Sequence, residues 1–126
     1  MKYLTAKQVL IIHEHVISSH ELQGMAGNKS LDAVMARIDN RLNYGLIQDV
    51  YELAACYAVY ITIGHVFNDA NKRTAYSAMK ICLDINHIEN HFETEIIGQT
   101  IIQIAQGTMD EIELARWLRE KLSLTS

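Results

Sequence analysis

Proline does not occur anywhere in this 126-residue chain, so nothing in it obliges a helix to kink or a segment to take polyproline geometry. Cysteine is nearly as scarce. Cys56 and Cys82 are the only two, and each lies inside an apolar helical run. So placed, they argue against a disulfide framework and read as buried, reduced thiols. Basic residues are outnumbered by acidic ones, for a formal net charge of −4. A surface that coats nucleic acid draws its affinity from clustered Lys and Arg, so direct nucleic-acid binding is not expected. Strand signals are almost absent, limited to Leu46–Gln48 and His91–Glu93. No apolar run reaches the roughly 20 residues a membrane span needs. Val50–Phe67 comes nearest, but it holds Tyr57, Tyr60, Thr62 and Gly64 and reads as a core helix. Met1-Lys2-Tyr3-Leu4-Thr5 opens onto an amphipathic stretch, not the apolar centre of a secretory signal. Cytoplasmic residence without membrane attachment is the expectation.

What is present is helix. Hydrophobic residues make up 49% of the chain, enough for one buried core at this length. Thr5-Ala6-Lys7-Gln8 reads as a capping box, followed by Val9, Ile12, His13, Val16 and Ile17 on one face of a helix ending near His20. A second helix carries Leu31, Val34, Met35, Ile38 and Leu42, with Ser30 or Asn28 as its cap. Asp49-Val50-Tyr51-Glu52 opens the central helix, which runs to about His65. Asp69 can cap the next, over roughly Asn71 to His87. Thr94 starts a fifth helix that closes at Gly107, and Asp110 caps a sixth carrying Leu114, Trp117, Leu118 and Leu122. The expectation is an all-α single domain over residues 1–126, built from about six helices.

Between the two most apolar helices lies the most polar stretch, His65-Val66-Phe67-Asn68-Asp69-Ala70-Asn71-Lys72-Arg73. A helix that starts near Asn71 presents unsatisfied N–H groups and the positive end of its dipole, a natural seat for phosphate. Lys72 and Arg73 fall in that first turn, where cations oppose the dipole. They make better sense with an anion bound among them. A carboxylate at Asp69 would repel phosphate oxygens unless a divalent cation bridges the two, and magnesium suits one carboxylate plus phosphates. His65 supplies an imidazole, which can move a proton near neutral pH. Taken singly, each residue has a plainer role: a structural histidine, a helix cap, a turn amide, a solvated basic pair. Their concentration in nine residues favours a phosphoryl- or nucleotidyl-transfer site. The remaining histidines are weaker candidates, since His13 and His15 point to different sides of a helix. Lys80 could add to a basic pocket.

The loop resembles the signature of the Fic/Doc family, which reads His-Pro-Phe-x-Asp/Glu-Gly-Asn-Gly-Arg with a further Arg three residues later. His65, Phe67, Asp69, Asn71 and Arg73 match. Val66, Ala70 and Lys72 replace the proline and the two glycines, as in the Doc branch, and Tyr76 stands at the final arginine. Tyr3-Leu4-Thr5 with Val9–His13, and Leu31–Arg37, are similar to the first two helices of Doc-type chains. The resemblance implies a Fic/Doc-type helical domain with the anion loop after its central helix. It further implies a toxin of a toxin–antitoxin pair acting as a protein kinase. The terminal phosphate of ATP would pass to a threonine of elongation factor Tu and arrest translation. His65 would be the base, Asp69 the Mg2+ ligand, and Asn71, Lys72 and Arg73 the nucleotide-binding residues; a Phd-like antitoxin would be the partner. AMP transfer to a protein hydroxyl and a non-catalytic binding role are the alternatives.

Overall fold

Ten consecutive buried residues, Leu53 to Thr62, make the helix Val50–Gly64 apolar on every side, and such a helix must lie at the centre of its fold. The computed structural model describes residues 1–123, in which five further helices are arranged about that one. In chain order the six are α1 Ala6–Val16, α2 Leu31–Asn43, α3 Val50–Gly64, α4 Asn71–Ile85, α5 Thr94–Ala105 and α6 Glu111–Ser123. Helix α3 packs most extensively against α4 and α6 and also touches α2 and α5, while α1 lies on α4. A continuous hydrophobic cluster draws side chains from all six helices. The all-α expectation and the place of the polar loop between α3 and α4 both hold.

Local chemistry explains most helix starts. Thr5 and Gln8 form the reciprocal capping box on α1, and Ser30 caps α2 through the Ala33 amide. Asp49 caps α3 through the Glu52 amide, and its other oxygen accepts two bonds from Arg119 of α6, the shorter at 2.7 Å. One carboxylate therefore both begins the central helix and ties α6 to it. At the opposite wall the buried phenol of Tyr57 pairs with the backbone of Leu4, accepting from its N–H at 2.8 Å, which anchors the segment before α1. Burial raises this phenol well above the ordinary tyrosine range.

Three expectations need correction. Helix α1 stops at Val16, short of His20, because Ile17 takes an extended conformation. Asp69 does not cap α4: the N-cap is Ala70, in the left-handed region at φ 65°, with no side-chain bond to the first turn. Neither Leu46–Gln48 nor His91–Glu93 becomes a strand. Among the described residues the one extended pairing is a single antiparallel bridge between Met25 and Phe67. It joins the segment after α1 to the polar loop. The two cysteines are buried and unpaired as expected, their thiols pushed up to about 11 at Cys56 and about 12 at Cys82, mainly by burial.

Candidate active site

Helix α3 ends on His65, whose backbone sits in the left-handed region at φ 47°. Its side chain is thereby released from the helix and exposed. Ahead of it, Gly64 runs close to α2, where an added Cβ would come within 2.9 Å of the Val34 side chain. Beyond it, Val66 and Phe67 turn inward and are almost fully buried, pinning the loop to the core. The chain then surfaces through Asn68 and Asp69, re-enters the left-handed region at Ala70, and starts α4. A non-glycine residue there costs about 1–2 kcal/mol, and such conformations persist only where the surroundings over-determine them. Two of them within six residues, at His65 and Ala70, mark a loop held in a set shape.

The holding groups can be read one by one. Asn71 turns its side-chain amide back onto Phe67, accepting from its N–H at 3.1 Å and donating to its carbonyl at 2.9 Å. The Asn71 amide is thus spent on closing the loop, and what that residue offers to the outside is its backbone N–H in the uncapped first turn of α4. Residues 13–26 bind the rest of the loop almost in step with it. His13 bonds the Asp69 carbonyl, and the Leu22 N–H donates to the Asp69 carboxylate at 3.1 Å. Asn68 pairs with the carbonyls of Gln23 and Gly24, and Ala26 donates to Val66 at 2.8 Å. Arg73 donates to the Val16 carbonyl, one of the free carbonyls at the end of α1, and forms an ion pair with Glu21.

A cleft of about 340 Å³ opens where these parts meet, lined by His65, Asn68–Arg73 and Glu21. The structure therefore gathers every residue proposed from sequence (His65, Asp69, Asn71, Lys72 and Arg73) around one opening. Lys72 is exposed and forms no ion pair among the described residues. Lys80 lies outside the cleft and donates to Asn90. Glu21 was not legible in the sequence. Its carboxyl falls to about 2, chiefly through the hydrogen bond from Arg73, so it stays ionised and occupies the arginine at any ordinary pH. His13 was legible in part, as a polar residue on a buried face, since a buried imidazole needs a partner.

Chemically, the cleft offers one imidazole, the two carboxylates of Asp69 and Glu21, two cations and the N–H groups of the uncapped first turn of α4. One Asp69 oxygen is bonded by Leu22, and the other accepts no hydrogen bond among the described residues. No group of three or more metal-ligating side chains gathers among the described residues. A divalent ion here would thus be held by Asp69 together with oxygens of an anionic substrate, which is how Mg2+ is commonly held. At the end of the loop motif, Tyr76 faces away from the cleft. Its ring meets Phe92 edge-on at 6.2 Å, and Phe92 stacks on Trp117.

The pattern of the Fic/DOC family matches residues 3–83, a span that includes His65 and the whole polar loop between α3 and α4. The chain belongs to that family. Among its relatives is Protein kinase doc of Escherichia phage P1, 30% identical over 120 residues that cover 94% of each chain.

Proposed function

We propose that this chain is a cytoplasmic toxin of a toxin–antitoxin pair. It acts as a protein kinase, passing the terminal phosphate of ATP to a threonine of elongation factor Tu and so arresting translation. The observation that carries the reading is the cleft itself, where an unencumbered imidazole faces a carboxylate and two cations at an uncapped helix start. His65 removes the proton from the attacking hydroxyl as its oxygen bonds the terminal phosphorus. The bond from that phosphorus to the bridging oxygen breaks, and ADP leaves. Arg73, once freed from Glu21, and the N–H groups of α4 hold the phosphate oxygens. Bound Mg2+ would neutralise charge on the phosphates, with Asp69 as its protein ligand. The name of the phage P1 relative, which is a protein kinase, supports phosphate transfer over AMP transfer.

Lys72 and Tyr76 support the same choice. A side chain at position 72 fills space that a glycine would leave for the inner phosphates, and it adds a charge near the transferring group, the main lever in phosphoryl transfer. Tyr76 is turned into packing with Phe92 and offers no cation for those phosphates. Incubated with elongation factor Tu, the chain should transfer label from the terminal phosphate of ATP and none from the innermost. Transfer of the innermost label would replace kinase by AMP transferase. No transfer of either label to any candidate target would leave a binding protein.

Such an enzyme needs silencing in its own cell. The partner we propose is a Phd-like antitoxin whose disordered segment folds into a helix on the toxin. Coexpression with a neighbouring reading frame should yield a tight complex, and mixing the two purified chains should raise the helical signal in circular dichroism. Unchanged spectra with no shift on sizing would remove this partner.

A further inference from the structure

We propose that His13, on α1 and outside the signature loop, is a positioning residue for this transfer site. It would act by locking the Asp69–Ala70 peptide in the orientation that the site requires. The proposal rests on the phosphoryl-transfer reading for its kinetic consequences, but its structural core can be tested without it.

His13 is buried, with 5% of its surface exposed. Its ring lies flat against Phe67, with centroids 3.8 Å apart and planes 6° from parallel. Its Nε2 stands 2.9 Å from the carbonyl oxygen of Asp69. A carbonyl only accepts, so Nε2 must carry the hydrogen and donate. The bonded carbonyl belongs to the peptide that leads into Ala70, the left-handed residue at φ 65°. For Ala70 to relax to negative φ, that peptide plane has to rotate, and rotation swings the Asp69 oxygen away from His13. The imidazole thus opposes the one movement that would relieve the strain.

Two consequences reach the cleft. Ala70 is the N-cap of α4 and has no capping side chain, so its backbone alone sets how the first N–H groups of α4 face an anion. The same peptide also fixes the Asp69 backbone, while the Asp69 carboxylate is steadied separately by the Leu22 N–H. His13 therefore acts on the Asp69 backbone and the anion cradle together, from a neighbouring helix and without touching either ligand. Outer-sphere partners of this kind commonly change metal affinity or activity about 10–100-fold when removed.

The plainer reading is a core histidine that fills space against Phe67. Substitutions can separate donor from packing. His13→Phe keeps the stack and loses the donor. His13→Gln and His13→Met have similar size, and only glutamine can donate. In the nucleotide-free protein, Cα and Cβ chemical shifts of Ala70 report its left-handed backbone directly. They should move in His13→Phe and His13→Met and stay near wild type in His13→Gln. Calorimetry with ADP should show the affinity gained on adding Mg2+ shrinking about 10–100-fold in the donor-less variants. In transfer assays kcat should fall by the same order, with KM for the protein target unchanged and most of kcat restored in His13→Gln.

Unmoved Ala70 shifts in a folded His13→Phe or His13→Met protein would overturn the proposal. So would equal losses in His13→Gln and His13→Met that track lowered melting temperature, because packing alone would then explain them. If the wild-type chain moves no phosphate, the kinase reading fails by itself, and the Ala70 shifts still decide the role of His13.

Discussion

Replacing His65 by alanine should remove phosphate transfer while leaving the fold untouched. The side chain is exposed and makes no hydrogen bond or ion pair among the described residues, so its loss breaks no contact on which folding depends. Alanine meets the left-handed backbone at φ 47° with about the same strain as histidine, since both carry a Cβ. Surface changes of this kind usually stay within about 0.5 kcal/mol, so the melting temperature should move little. A positioned general base, in contrast, contributes about 10²–10⁴-fold. The expected His65→Ala protein is folded, binds ADP near wild-type affinity, and transfers phosphate to the target at least about 100-fold more slowly. Growth arrest on expression should disappear with it. A soluble His65→Ala protein that transfers phosphate at the wild-type rate would end the assignment.

The contrast between what the chain announced and what it concealed follows from the range of the interactions. Helices α1, α2 and α3 begin on Thr5, Ser30 and Asp49, whose caps act over three residues and are written locally. The same holds for the apolar faces, and for the loop chemistry, where Asp69, Lys72 and Arg73 follow His65 within eight positions. Asp69 misled for a related reason. An aspartate just before a helix is usually its cap, yet here the chain turns left-handed at Ala70 and carries the carboxylate away from the first turn of α4. It meets the Leu22 N–H instead, a contact 47 residues distant in sequence. Glu21 on Arg73 spans 52 residues and His13 on Asp69 spans 56. No local pattern encodes such pairings, because they exist only once α1 lies on α4. The bridge from Met25 to Phe67 was hidden for the same reason, being one pair of residues with no alternation around it.

That displacement of Asp69 sharpens the second large effect. As long as Asp69 was a candidate cap, loss of activity on substitution could have come from a frayed α4. With Ala70 as the N-cap, the helix start does not depend on the Asp69 side chain, whose one hydrogen bond among the described residues is the acceptance from Leu22 at 3.1 Å. Asparagine keeps an acceptor oxygen for that N–H and removes only the charge. Asp69→Asn should therefore melt close to wild type. Asp69→Ala loses the acceptor as well and should unbind the 21–22 segment. Function should respond differently from stability. A metal ion on phosphate oxygens is worth several kcal/mol at the transition state, and each 1.36 kcal/mol is tenfold in rate, so loss of its carboxylate should slow transfer roughly 10²–10³-fold. ADP binding should also become almost indifferent to Mg2+ in Asp69→Asn, a readout that needs no turnover. If Asp69→Asn transfers phosphate at the wild-type rate with unchanged magnesium dependence, and only Asp69→Ala is impaired, the residue is a tether for Leu22 and the metal has to be held elsewhere.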